Sequence, residues 1–162
     1  MKAQAELFDP IKPKRKKPVQ LTGRSRKYLE ANGYVVALVE RSIDVPKFPG
    51  STERFKNKFD AFGFADLAAI HPQKTGTLWV QVTDHKHRAE HEQKILEATK
   101  APVILQAGNR IQLHTWKAAK RQGLKIWNLR IQSAQLFRGT VEFGEITEHW
   151  FRDNGQEIDD DF

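Results

Sequence analysis

A chain of 162 residues, 39% hydrophobic and 29% charged, holds enough apolar material for one domain with a core and is too short to expect two. Its net charge of +7 favours an anionic partner, nucleic acid first and an acidic membrane surface second. No apolar run approaches the roughly 18 residues of a spanning helix, so no membrane partner is expected. The basic N-terminus lacks the apolar segment of a secretion signal, and the absence of cysteine excludes disulfides and thiolate metal sites; a cytoplasmic protein is expected.

Residues 1–20 read as a flexible basic arm, because Pro10, Pro13 and Pro18 forbid a regular element around the mutually repelling run Lys14, Arg15, Lys16, Lys17. The run serves either as a solvated tail or as a phosphate contact. Within the arm, Gln4-Ala5-Glu6-Leu7-Phe8 resembles the QL(S/D)LF peptide by which many bacterial proteins dock on the DNA-polymerase sliding clamp. That resemblance implies a clamp contact through residues 4–8, with Gln4, Leu7 and Phe8 carrying it and the last two as apolar anchors.

Residues 22–32 predict a helix capped by Thr22 or Ser25, with Gly33 at the left-handed position beyond its end. The β-branched run 34–40 (YVVALVE) predicts a strand. From 41 to 59 the prolines and Gly50 predict an irregular loop, in which Arg54, Lys56 and Lys58 alternate with Phe55 and Phe59. Cations mixed with aromatics suit backbone contact and base stacking, and the alternative is that the two Phe rings pin the loop to the core.

The stretch 62–86, FGFADLAAIHPQKTGTLWVQVTDHK, is the most informative. Two short apolar runs, 66–70 and 77–83, flank a polar turn and predict buried strands. A carboxylate at the head of such a strand calls for a partner, since burying one alone is costly. Asp66, Gln81 and Thr83 are therefore candidate site residues, the last two on one face of their strand.

Further on, 85–99 predicts a helix with Ile95 and Leu96 inward, and 101–106 a buried strand. Residues 110–117 and 126–135 predict a C-terminal β-hairpin with Trp116 packed against Trp127. Its connection carries Lys120 and Arg121 between Lys117 and Lys125, a second candidate phosphate contact. Residues 139–162 read as an acidic tail, with Asp153, Glu157, Asp159, Asp160 and Asp161 ahead of a terminal Phe162. It is similar to the partner-recruiting tails of single-strand-binding proteins, the alternative being a solvating end. His85, His87 and His91 with Asp84 are a weaker, zinc-like grouping.

The predicted order of helix, strand, strand, strand, helix, strand resembles the PD-(D/E)XK nuclease core. Gly63-Phe64-Ala65-Asp66-Leu67 is similar to the G-x-x-D-[LI] motif of Holliday-junction resolvases and the VRR-NUC group. Val80-Gln81-Val82-Thr83 takes the place of the strand carrying (D/E)-x-K, as in phage and bacterial relatives that read VQVT. The resemblance spans 21–135, within a domain drawn as 21–138. It implies an α/β, restriction-endonuclease-like fold, a central mixed β-sheet flanked by helices.

It implies also a Mg²⁺ (or Mn²⁺) ion held by oxygen ligands on neighbouring strands, which polarises a phosphate and activates water. Gln81 stands where the second acid belongs and Thr83 where the lysine belongs. Asp60 is the candidate to complete the ligands Asp66 and Gln81, and Lys86 or Lys94 to supply the missing charge. Two readings follow. One is a metal-dependent DNA endonuclease acting on branched or replication-associated DNA; the other is a catalytically silent DNA-binding or recruitment factor on the same fold. Resolvase-like relatives are often homodimers, though no stretch here marks an interface.

Overall fold

The computed structural model describes residues 20–159. Gln4, Leu7, Phe8, the run Lys14, Arg15, Lys16, Lys17, and Phe162 lie outside them. The chain runs as α1 (Leu21–Ala31), β1 (Val35–Leu38), β2 (Arg41–Pro46), β3 (Arg54–Phe59), β4 (Leu67–His71), β5 (Lys74–Asp84), α2 (Arg88–Leu96), α3 (Ala101–Gln106), β6 (Arg110–Arg121), β7 (Leu124–Phe137), β8 (Thr140–Arg152) and β9 (Glu157–Ile158). It is an α/β protein with one large mixed sheet and few helices.

Seven strands form that sheet in the order β1-β4-β5-β6-β7-β8-β9. Neighbours are antiparallel except β5 and β6, which run parallel because α2 and α3 carry the chain back between them. Alternation along β5 divides the core. Leu78, Val80 and Val82 pack with Leu29 of α1, whereas Trp79 packs with Ile95 of α2 and Ala101 and Ile104 of α3. Gln81 and Thr83 share the side of Trp79. The tryptophans Trp116 and Trp127 are both buried in the cluster beneath α1, as expected.

Several expectations change. Of the two residues of α2 expected inward, Ile95 is buried but Leu96, the next position round the helix, is exposed. The helix α1 has Gln20 at its N-cap with no side-chain bond, and Ser25 lies buried inside it rather than capping. Residues 41–59 are a hairpin of β2 and β3: their prolines and glycine mask an alternation that puts Ile43 and Val45 opposite Asn57 and Phe55. Phe55 and Phe59 are 46% and 48% exposed, so they do not pin it to the core. Residues 101–106 are a helix, since Pro102 in the first turn suits a helix start and would remove a ladder bond from a central strand. The stretch expected to be tail from 139 contributes β8, whose TVEFGEITEHWFR has β-branched and aromatic residues enough to pair along β7. The C-terminal hairpin is also longer than expected, turning at Gln122 and Gly123 with φ 51° and 77°. Among the described residues no helix is long and apolar enough to cross a membrane.

Candidate metal centre

Three segments converge at the head of β4. Leu38 of β1 stands opposite Leu67, and just past that register the amides of Val39 and Glu40 both donate to the Asp66 carbonyl, at 2.9 and 3.3 Å. The backbone thus holds Glu40 beside Asp66. Asp60 follows β3 and is brought back by a tight reversal, in which the Phe64 amide donates to the Ala61 carbonyl at 3.1 Å and Ala61 bridges to Ala65. Phe62 and Gly63 take φ of 56° and 83° there. Two successive left-handed residues make the hairpin turn that fits strand twist, natural for glycine and uncommon for Phe. Phe62 is held by its ring, edge-on to Trp79 with centroids 4.7 Å apart.

The outcome is a cluster in which carboxylate oxygens of Glu40, Asp60 and Asp66 all lie within 4.8 Å of one another. Asp66 is 5% exposed. Its Oδ2 accepts from the Val82 amide and from Gln81 Nε2, both at 2.7 Å. Burial pushes its pKa up to about 7, helped by the charges of Asp60 and Glu40 and opposed by the Val82 hydrogen bond and by Lys94. Gln81, 2% exposed, also donates to the Val82 carbonyl at 3.2 Å. With its nitrogen facing two acceptors, the amide is oriented by its neighbours, and Oε1 is left buried without a partner. Thr83 is buried further along the same face of β5.

Two lysines meet the acids. Lys58 of β3 reaches Glu40 at 2.6 Å, and this hydrogen bond chiefly raises its pKa. Lys94 of α2 reaches Asp60 at 2.5 Å. Lys94 is therefore the lysine that returns to the cluster, while Lys86 is exposed in the turn before α2. An open cleft of about 550 Å³ runs from the first turn of α1 past Glu40, Lys58 and Val82. Arg54 and Lys56 are exposed on the hairpin. Lys120 and Arg121 sit at the far turn of β6 and β7, beyond Trp116, the last β6 position paired with β5.

The donor set fits a hard divalent cation, which takes oxygen ligands. Three oxygens spaced evenly about one Mg²⁺ ion stand about 3.6 Å apart and about Ca²⁺ roughly 4.0–4.5 Å, so a cluster spread over as much as 4.8 Å closes by up to about 1 Å to hold either ion. Gln81 turns Nε2, not Oε1, toward Asp66, and its Oε1 is buried without a partner. The histidines do not gather in the same way: His87 pairs with Asp84 at 2.8 Å and His85 is exposed. Sequence reasoning reached Asp60, Asp66 and Gln81 but missed Glu40. Its one signal is an acid closing the apolar run YVVALVE, and the β1–β4 register that gives it meaning is not local. Comparison of the chain with family models, with curated proteins and with solved structures finds no match. The site is read from its own chemistry.

Proposed function

We propose that this chain is a metal-dependent DNA endonuclease of the PD-(D/E)XK kind, acting on branched or replication-associated DNA. The observation that carries the reading is the triad Glu40, Asp60 and Asp66, half-buried to buried, with carboxylate oxygens within 4.8 Å of one another. Its setting supports it. With the β2–β3 hairpin set aside, α1, β1, β4, β5, the helices α2 and α3 and the parallel strand β6 come in an order like that of a restriction-endonuclease-like core, and Gln81 lies next to Asp66.

In this reading Glu40, Asp60 and Asp66 ligate Mg²⁺ or Mn²⁺. The ion supplies Lewis acidity to a phosphate oxygen and lowers the pKa of water. Asp66 gives up its proton on binding, since its neutral form dominates below about pH 7. Lys58 and Lys94 exchange a carboxylate for a phosphate and so offset charge on the scissile group. Thr83 offers a hydroxyl to water without adding charge, and the cleft beside α1 takes the backbone.

A specific observation favours the alternative of a silent DNA-binding factor: Glu40 and Asp60 already have lysine partners, so two of the three ligands are neutralised without a metal. Plasmid, single strands and four-way junctions incubated with Mg²⁺ or Mn²⁺, and with chelator, separate the two. Metal-dependent cleavage that Asp66→Ala abolishes is expected. Cleavage surviving that change sinks the assignment, and binding without cleavage favours the alternative.

A further inference from the structure

The β2–β3 hairpin is a small sheet of its own, outside the seven-stranded one. Its register sorts its side chains by chemistry. Arg41, Ile43 and Val45 stand opposite Phe59, Asn57 and Phe55 on one face, while Ser42, Asp44 and Pro46 stand opposite Lys58, Lys56 and Arg54 on the other. One face is therefore apolar and aromatic, and the other carries three cations against one acid. Ile43, Phe55 and Phe59 are 53%, 46% and 48% exposed. An isolated two-stranded ribbon is at best marginally stable in water, so an uncovered aromatic face is a cost without a folding return.

The orientation is given by Lys58. Because it reaches Glu40, the cationic face is turned toward the acidic cluster, and by alternation the aromatic face is turned away from it. A polyanion fits the first face. Flat apolar base faces fit the second, where Arg41 adds a cation beside the rings. An intact duplex cannot serve both, since its base faces are stacked inside; two strands parted around the ribbon can. From this we propose that the hairpin is a strand-separating pin, and that the DNA this chain acts on is a fork whose last base pair or displaced strand stacks on Phe55 and Phe59. The inference rests on the nuclease reading and specifies its substrate.

The test measures binding of the full-length protein to a fork and to a blunt duplex of the same sequence, by fluorescence anisotropy with Ca²⁺ in place of Mg²⁺. The fork should bind at least about tenfold tighter, in keeping with one or two stacked bases. Phe55→Ser with Phe59→Ser should bring that preference below twofold while duplex affinity holds. Phe55→Leu with Phe59→Leu, which keeps the face apolar and guards against unfolding, should do the same. Arg54→Gln with Lys56→Gln should weaken both ligands together. A wild type without fork preference overturns the pin, as does a preference that survives the Leu pair. Sedimentation checks the rival occupant: a dimer that the Ser pair splits, with fork binding unchanged, assigns the face to a second copy of this chain. Cleavage with Mg²⁺ distinguishes failures. A Phe-dependent fork preference with no cleavage of any DNA removes the nuclease reading and leaves the pin. Fork cleavage unaltered by the Ser pair removes the pin and leaves the nuclease.

Discussion

Beneath α1, Trp116 Nε1 donates to Ser25 Oγ at 2.8 Å, Ser25 meets His114 Nδ1 at 3.1 Å, and His114 Nε2 faces Gln112 Oε1 at 3.3 Å. At the head of β4, Asp66 and Gln81 are as deeply buried, yet Gln81 Oε1 has no partner and three acids crowd one another. Both clusters place polar groups in a core, and only one of them is closed. A closed network holds the fold, whereas an open one holds a deficit that a ligand can fill. The contrast extends to protonation. Burial pushes His114 down to about 3, so it stays neutral, and pushes Asp66 up to about 7, so near neutral pH it is ready to exchange a proton for a cation.

Removing the Asp66 charge is the strongest way to break that contrast. In the unfolded chain its carboxyl titrates near 3.9, and in the fold near 7. The penalty for ionising it is absent below about pH 4, grows by about 1.4 kcal/mol per pH unit, and is complete above about pH 7. Asp66→Asn should therefore be the more stable protein by about 3–4 kcal/mol at pH 8 and equal at pH 4, read by urea unfolding at both. The same variant should lose more Mg²⁺ or Mn²⁺ affinity than the roughly 10- to 100-fold that outer-shell partners are worth. In the wild type, metal affinity should rise about tenfold per pH unit from pH 5 to 7 and then level, by calorimetry. A flat affinity profile would remove Asp66 from the ligand set.

The closed cluster should respond in the opposite way. Ser25→Ala strands Trp116 Nε1 and His114 Nδ1 in the core, at a cost of about 2–3 kcal/mol, with metal affinity unchanged. His114 also makes stability fall as pH drops from about 6.5 toward 3, where the unfolded chain takes up a proton that the fold refuses. Between about pH 4 and 6.5 the slopes of Asp66 and His114 cancel. Asp66→Asn should expose the His114 slope there, as a loss of stability on acidification steeper than in the wild type.

The sequence makes the open cluster partly legible, and the closed one hardly at all. Asp66, Gln81 and Asp60 are visible because each is a polar residue in or beside a short apolar run, and the turn that unites Asp60 with Asp66 lies between them. Glu40 and Lys58 depend on pairings across the chain, β1 with β4 and the hairpin with the cluster, which no local pattern records. Ser25, His114 and Trp116 are joined over still longer separations, so Ser25 reads as a cap and His114 passes unnoticed. The helix at 101–106 was hidden for another reason: a six-residue apolar run suits either element, and Pro102 is the one residue that decides.

Two glycines give the finest version of the comparison. Gly63 and Gly123 each follow a left-handed non-glycine residue, Phe62 and Gln122, at φ of 83° and 77°, and a Cβ added at either meets nothing within 4 Å. Gly63→Ala and Gly123→Ala should then cost the same conformational energy, about 1 kcal/mol, in thermal unfolding. Their effects on metal binding should part. The Gly63 turn carries Asp60 back to Asp66, so relaxing it moves a proposed ligand, while the Gly123 turn ends a hairpin beyond the last β5 partner. Metal affinity should fall for Gly63→Ala and hold for Gly123→Ala. Equal losses of affinity would mean that the cluster senses general stability alone, and that the 60–66 reversal has no special part in building it.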